Sequence, residues 1–143
     1  MVIRTASWSD LPALVNLEKL CNPVPWSTQQ LEATLNLPEP IWVMENAQHS
    51  IVAMLVWQTL VDEAEIHLLN THPHYRRRGY ASNLLNHLGI IAQQQNMQRL
   101  LLEVRAGNTN AQQLYRQHGF TECGIRKHYY SDGEDAVLME KIC

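Results

Sequence analysis

Tyr75-Arg76-Arg77-Arg78-Gly79-Tyr80-Ala81 is the stretch that decides how this chain folds, because it joins an extended apolar segment to a long amphipathic helix. Gly79 lets the backbone approach a ligand where a Cβ would obstruct it, and the first amides of a following helix are unpaired donors at a positive dipole end. Three arginines add the charge that binds a diphosphate. The stretch predicts a phosphate-binding loop, although a basic loop leading into a surface helix explains these residues alone equally well.

The residues after this loop predict alternating helices and strands. Residues 79–95 carry apolar side chains at helical spacing, which predicts an amphipathic helix. Residues 99–104 predict a strand whose continuous Leu100-Leu101-Leu102 centre indicates burial on both faces and a parallel neighbour, reached through the preceding helix as crossover. Asn108 is suited to cap a further helix that ends at Gly119, and a closing hairpin follows over residues 120–127 and 136–140.

The residues before the loop predict two helices followed by three antiparallel strands. A short strand over residues 2–5 precedes a helix that runs to about Leu20 and carries Leu14, Leu17 and Glu18 at helical spacing. Ser27 and Gln30 match a capping box at the start of the second helix. The three strands are predicted at residues 41–45, 51–60 and 64–71.

Composition predicts one globular domain over residues 1–143. The chain is 45% hydrophobic and 17% charged, and its longest apolar run, residues 51–57, is too short to cross a bilayer. The net charge of -3 argues against nucleic-acid binding through bulk electrostatics, so we expect a small ligand and no membrane partner. Three widely spaced cysteines without a Cys-x-x-Cys pair indicate a reducing, cytoplasmic setting. His72 and His74 share one turn without a third ligand, so no metal is predicted.

The order of these elements resembles that of the GNAT family of acetyl-CoA-dependent N-acetyltransferases, and residues 76–81 are similar to its Gln/Arg-x-x-Gly-x-Gly/Ala signature. Within the family, the chain most resembles the ribosomal-protein alanine N-acetyltransferases of the RimI type. This likeness rests on several blocks in the right order: Pro25-Trp26-Ser27, Asp62-Glu63-Ala64, Leu102-Glu103-Val104-Arg105, Asn108, Leu114-Tyr115, Gly119-Phe120, Arg126 with Tyr129-Tyr130, and Asp135-Ala136. The resemblance implies an α/β fold with a mixed, mostly antiparallel sheet and a splayed parallel strand pair, flanked by helices.

The resemblance also implies the site residues. Glu103 is the implied general base and Tyr115 the implied general acid. Trp26, Tyr129 and Tyr130 are expected to flank the acceptor groove. The implied acetyl-CoA contacts are Leu69, Asn70, Thr71, Arg76, Arg77, Arg78, Gly79, Tyr80, Ala81, Ser82 and Asn108. The pantetheine arm is expected between the splayed strands, where it pairs with the strand edge near residues 69–71 as β-augmentation does. Asn70 departs from the small apolar residue that relatives carry there.

The residue types suit acetyl transfer, although other interpretations exist. An α-amine has a pKa of about 7.7 to 8.0, against about 10.4 for lysine, so one carboxylate is an adequate base for it. From local sequence alone, Glu103 is as well explained by solvation or by pairing with Arg105. From local sequence alone, Tyr115 is better explained by packing in the core, although a buried ring and a hydroxyl that faces the departing sulfur are compatible.

The implied reaction is the direct transfer of acetyl, in a ternary complex, to the N-terminal alanine amine of protein eighteen of the small ribosomal subunit. That acceptor is a basic peptide, and an acidic rim is available to complement it: Asp62, Glu63, Glu65, Asp132, Glu134 and Asp135. We expect a monomer that uses acetyl-CoA as co-substrate. The alternatives are a GNAT enzyme that acetylates a small amine and a non-catalytic acyl-CoA-binding module.

Overall fold

A computed structural model describes residues 2–143, which form four α-helices and seven strands. The helices are α1 (Leu11–Cys21), α2 (Thr28–Leu35), α3 (Tyr80–Gln94) and α4 (Thr109–Gln117). The strands are β1 (Ile3–Thr5), β2 (Trp42–Glu45), β3 (Ile51–Leu60), β4 (Glu63–Thr71), β5 (Arg99–Arg105), β6 (Thr121–Arg126) and β7 (Ala136–Ile142). Two 3₁₀ turns, Trp8–Asp10 and Pro73–Tyr75, precede α1 and follow β4.

The strands form one open sheet in the order β1-β2-β3-β4-β5-β7-β6. β4 and β5 are parallel, with Glu63–Ile66 paired to Arg99–Leu102, whereas β1 with β2, β2 with β3, β5 with β7, and β6 with β7 are antiparallel. The predicted α/β class with a mixed, mostly antiparallel sheet is confirmed. The helix α3 stands between the two parallel strands in sequence, as a parallel crossover requires.

Local signals set the ends of several elements. Ser27 caps α2, because its Oγ accepts from the Gln30 amide at 3.1 Å while its own amide donates to the Gln30 side chain at 2.8 Å. Asn108 caps α4 in the same way, accepting from the Ala111 amide at 3.1 Å. Gly119 follows α4 with φ of +91°, a conformation that favours glycine. These predicted caps and stops are confirmed.

The described residues cluster into two compact units. The first contains the chain up to Trp57 together with Leu68–Leu84, and the second contains Gln58–His67 and Leu85–Cys143. The first unit has its own hydrophobic core, in which α1 and α2 pack against one face of β2, β3 and β4. The buried residues of this core, from helices and strands together, are Leu14, Leu17, Leu31, Ile41, Val43, Met54, Val56 and Leu68. The single domain expected from composition stays a prediction.

The second unit contains β5, whose burial alternates along the strand. Leu100, Leu102 and Val104 are buried, whereas Leu101 is only partly buried. The prediction of burial on both faces is therefore wrong. The reason is the two-residue period of a strand, which places Leu101 on the same face as charged neighbours, including Glu103. The predicted parallel neighbour is nevertheless confirmed.

Candidate active site

The predicted phosphate-binding loop lies in the first unit and contains two residues with positive φ. Arg77 has φ of 63° and Gly79 φ of 87°, in the left-handed region that glycine adopts freely and arginine adopts at a cost. α3 begins directly after Gly79, whose carbonyl accepts from the main-chain amide of Asn83 at 3.0 Å and from its side-chain amide at 2.8 Å. The first-turn amides of this 15-residue helix therefore follow an exposed triple arginine, as a diphosphate site requires.

Two of the three arginines also brace the loop. Arg76 donates from Nε to the carbonyl of Thr71 at 3.3 Å. The Arg78 guanidinium lies 4.9 Å from the centre of the Tyr75 ring, a cation–π distance. All three arginines are exposed, so their charges stay accessible to a ligand while the loop is held at both ends.

Asn70, at the end of β4, has a specific partner. Its side chain is 4% exposed and donates from Nδ2 to Oε1 of Glu18, on α1, at 2.9 Å. Its neighbours Leu69 and Thr71 are half-buried, and the Thr71 carbonyl accepts from the Cys21 thiol at 3.4 Å. The polar side chain at position 70 is therefore part of the interior of the first unit.

Glu18 is fully buried and receives two more donors. The side-chain amide of Asn22 donates to Oε1, and the main-chain amide of Trp26 donates to Oε2 at 2.7 Å. Trp26 itself packs at the edge of the core of the first unit. Glu18 therefore connects the predicted acceptor residue Trp26 with the predicted cofactor residue Asn70.

Glu103 lies on β5 in the second unit, opposite Leu138 of β7. Its side chain is 21% exposed, and the Arg126 Nε lies 3.6 Å from its Oε1. The hydroxyl of Tyr129 donates to the Glu103 carboxylate, and this hydrogen bond raises the pKa of Tyr129. The suggested pairing with Arg105 is wrong, because Arg126 takes that place.

Tyr115 is buried on α4, where its ring meets Phe120 edge-on at 5.6 Å. Burial raises the pKa of the phenol, and the nearby Tyr130 raises it further. Tyr115 therefore keeps its proton throughout the neutral range. The core-packing interpretation of the ring is confirmed, and it leaves the hydroxyl proton available for donation.

Arg105 orders the β6–β7 loop that carries the two predicted groove tyrosines. Its Nη1 donates to Asp132 at 2.9 Å and to Glu134 at 2.8 Å, and its guanidinium lies 4.0 Å from the centre of the Tyr130 ring. Glu134 also accepts from the Gly107 amide at 2.9 Å. The Tyr129 and Tyr130 rings meet edge to face, with their centres 5.1 Å apart, so Arg105 contacts this pair of tyrosines through Tyr130.

Much of the predicted acidic rim is engaged within the second unit. Arg99 binds Glu63 and Glu140, just as Arg105 binds Asp132 and Glu134. Each arginine thus meets two carboxylates, which leaves one net negative charge per cluster. The Asp135 carboxylate accepts from the His128 amide at 2.8 Å. The negative potential around these residues is therefore weaker than a count of acidic residues suggests.

Asn108 serves its helix first. Its side-chain oxygen is used in capping α4, so a ligand contact there would fall to its remaining donors. Gln112, one turn later, is buried and donates to the carbonyls of Arg105 at 3.1 Å and Ala106 at 3.0 Å. The turn between β5 and α4 is thus fixed by side chains at both ends.

Two further features of residues 2–143 bear on other kinds of site. Histidine, cysteine, aspartate and glutamate side chains form no group of three arranged to hold a metal ion in this part of the chain. None of the helices described there has both the length and the apolarity to cross a bilayer. The prediction of a metal-free site stays a prediction.

Sequence reasoning missed four residues that organise these sites. They are Glu18, Gln112, Arg105 as a loop clamp, and Arg126 beside Glu103. Glu18 offered one signal, since a charged residue at the helical spacing of Leu14 and Leu17 faces the core. The arginines offered none, because their partners lie 23 to 29 residues away in the chain.

Comparison with known proteins places these features in a family. The Acetyltransferase (GNAT) family model matches residues 11–120. The ribosomal protein bS18-alanine N-acetyltransferase of Haemophilus ducreyi is 37% identical over 96% of this chain and 97% of its own, and the Escherichia coli enzyme of that name is 34% identical over 96% and 94%. The crystal structure of the ribosomal-protein-S18-alanine N-acetyltransferase from Escherichia coli superposes with a TM-score of 0.88, at 32% identity, over 99% of this chain and 92% of that one.

Proposed function

The chain belongs to the GNAT family of acetyltransferases, and on this premise we propose that it moves acetyl from acetyl-CoA to the N-terminal alanine amine of ribosomal protein bS18. The observation that carries the proposal is the identity of 34% to 37% to enzymes of that name, across nearly the whole of both chains. A ribosomal acceptor puts the reaction in the cytoplasm. We propose that the chain acts there as a single-domain monomer without a metal.

The coenzyme is proposed to bind along the loop and strand end of the first unit. The Gly79 turn, the first-turn amides of α3 and the exposed arginines suit its pyrophosphate. The proposed contacts are Leu69, Asn70, Thr71, Arg76, Arg77, Arg78, Gly79, Tyr80, Ala81 and Ser82, with Asn108 from the second unit. Since the Asn70 side chain is engaged with Glu18, only the main chain of that residue is left to pair with the pantetheine arm.

Glu103 is proposed to take the proton of the attacking amine. Its partners are a guanidinium at 3.6 Å and the hydroxyl of Tyr129, an exposed side chain that can turn away. An α-amine with a pKa of about 7.7 to 8.0 is partly neutral at pH 7, so the base has to take only the one proton that the nitrogen loses as it bonds to carbon. The amine nitrogen then bonds to the acetyl carbonyl carbon.

Tyr115 is proposed to donate to the sulfur as the carbon–sulfur bond breaks. A thiol has a pKa of about 8.5, below that of a phenol at about 10, and burial raises the pKa of Tyr115 still further. Full proton transfer from Tyr115 to a free thiolate is therefore uphill. The phenol therefore stabilises, by hydrogen bonding, the charge that develops on sulfur, and the coenzyme A thiolate takes its proton from water after it leaves.

The acceptor is proposed to lie against Trp26 and the Tyr129–Tyr130 pair. The Arg105 clamp supports this, because an ordered loop loses less entropy when a peptide binds. The two arginine clusters keep one net negative charge each, which favours a basic peptide modestly.

Mass spectrometry of acetyl transfer onto a peptide panel tests this function. The panel holds the first residue as alanine, serine, methionine or proline in an otherwise constant basic peptide, with an N-terminally blocked, lysine-bearing control. We expect label on the α-amine, and most of it on the alanine peptide. Label only on the lysine side chain, or only on small amines, contradicts the proposal, and tight acetyl-CoA binding without any transfer indicates a non-catalytic module.

A further inference from the structure

One buried carboxylate connects three segments of the first unit. Glu18 is 0% exposed and lies on the last turn of α1. It accepts from the Asn22 side chain at the end of its own helix, from the Trp26 main chain in the following loop, and from the Asn70 side chain on β4. Asn70 lies 52 residues away in the chain, so this contact joins the loop after α1 to a distant strand.

The donors explain why a carboxylate is tolerated in this interior. Burying an isolated charge is costly, and the cost falls when hydrogen bonds replace water. All three donors to Glu18 are neutral N–H groups, and two belong to residues 22–26. If Asn70 is removed, Glu18 keeps its partners on the loop and loses its partner on β4. Asn70 is therefore the attachment of the loop to the strand.

The two attached segments are those to which the proposed function gives different tasks. Trp26 belongs to the acceptor side, whereas residues 69–71 belong to the cofactor side. Further contacts act on the same strand end, since the Thr71 carbonyl accepts from Cys21 at 3.4 Å and from Arg76 at 3.3 Å. The strand end is thus held by several contacts, while the Trp26 amide is held by Glu18.

We propose that Glu18 and Asn70 form a polar bracket that positions the loop of residues 22–26 for the acceptor. Asn70 is then a positioning residue, which acts through Glu18 and sets the KM of the acceptor rather than that of acetyl-CoA. This inference rests on the proposed function for the identity of the acceptor. It assigns a purpose to the buried asparagine at position 70.

Steady-state kinetics of Asn70→Ala test the bracket. The substitution removes one hydrogen bond and leaves the main chain of β4 intact, so we expect the KM of an alanine-headed peptide to rise up to about tenfold. The KM of acetyl-CoA should change less than about twofold, because only the main chain at this position is proposed to contact it. The Trp26 amide should exchange hydrogen faster in the variant.

A charge-swapped double variant supplies the rescue. Glu18→Gln alone turns an amide group toward a donor, and Asn70→Asp alone sets two carboxylates against each other. In the double variant the amide of the new glutamine at position 18 donates to the new aspartate at position 70. The glutamine oxygen still accepts from the Trp26 amide, and the Asn22 side chain regains its contact by turning its own oxygen toward the glutamine. We expect the double variant to recover most of the peptide KM that either single variant loses.

Asp10→Asn is the control for general destabilisation. It breaks an ion pair with Arg4 in the same unit and touches no residue of the bracket. Its melting temperature should fall while its peptide KM stays at the wild-type value. If Asp10→Asn raises the peptide KM as much as Asn70→Ala does, the effect is general loosening and the inference is wrong.

The remaining outcomes separate the inference from the proposed function. If the wild type acetylates the peptide and Asn70→Ala leaves its KM unchanged, the inference alone fails. If the wild type accepts only a small amine, the proposed function fails, and the same KM comparison with that amine decides the inference. If there is no turnover at all, unchanged exchange at the Trp26 amide in Asn70→Ala overturns the bracket, and faster exchange upholds it.

Discussion

Glu18 and Glu103 carry the same side chain in two different surroundings. Glu18 is fully buried in the first unit and receives three neutral N–H donors. Glu103 is 21% exposed in the second unit, with a guanidinium at 3.6 Å and a hydroxyl from the exposed Tyr129 as partners. One carboxylate is fixed on every side, and the other keeps a path to solvent.

This difference is the one expected between a structural carboxylate and the proposed general base. A general base must release its resting partners and accept a proton from a group that arrives from outside. Glu103 suits this proposed role because its side chain is 21% exposed and its partner Tyr129 is itself 47% exposed. Glu18 does not meet this requirement, since its donors lie at the end of α1, in the loop before the cap of α2 and on β4. Burial of the carboxylate and exposure of its partners therefore distinguish the two positions, whereas residue type does not.

Replacing Glu103 by glutamine should have the largest effect on activity. Glu103→Gln removes the base and keeps the shape, so we expect kcat to fall about 1,000-fold at pH 7. The loss should be greatest at low pH, where the free amine is scarcest. Acetyl transfer measured from pH 6 to 9 checks this, with Glu122→Gln on the exposed strand β6 as the control. A rate that falls by less than tenfold at every pH contradicts the role of base.

The next effect concerns the buried phenol of the second unit. Tyr115→Phe keeps the ring against Phe120 and removes the donor to sulfur, so we expect kcat to fall about 100-fold. The free energy of unfolding should change little, because the packing of the ring is kept. Single-turnover rates and thermal melts measure the two effects. Unchanged turnover removes the assignment, and a large drop in melting temperature transfers the role of Tyr115 to structure.

Glu18→Gln should reverse the pattern of Glu103→Gln. The amide turns an N–H group toward one of the three donors, so a buried donor loses its acceptor at a cost of about 2 kcal/mol in the free energy of unfolding. Urea unfolding at constant pH measures this loss. For Glu103→Gln the same measurement should show a change within about 0.5 kcal/mol. Equal losses at both positions would mean that the comparison between the two carboxylates does not hold.

Sequence predicted what short-range chemistry decides. The capping box at Ser27, the cap at Asn108 and the helix after Gly79 depend on residues within four positions, and all three are present. The contact between Glu18 and Asn70 could not be predicted in this way, because the two residues are 52 positions apart and meet only when α1 packs on β4. The predicted burial of Leu101 was wrong for another reason. The run of three leucines hides the two-residue period of the strand, which the charged residues on either side of the run reveal.

The smallest effect should come from removing the exposed partner of Glu103. Tyr129→Phe deletes one hydroxyl from a side chain that is 47% exposed, so the melting temperature of the variant at pH 8 should lie only slightly below that of the wild type.

The pH dependence of this difference in melting temperature carries more information about Tyr129. Its bond to Glu103 raises the pKa of Tyr129 above the ordinary value of about 10, so the native state keeps this proton after the unfolded chain has lost it. The stabilisation is then complete below pH 10 and declines as the pH rises through the folded-state pKa. The difference in melting temperature between wild type and Tyr129→Phe should accordingly be constant from pH 8 to about 10 and shrink toward pH 11. A difference that stays constant or grows over that range would show that Tyr129 does not donate to Glu103, and Glu103 would then lose the removable partner that distinguishes it from Glu18.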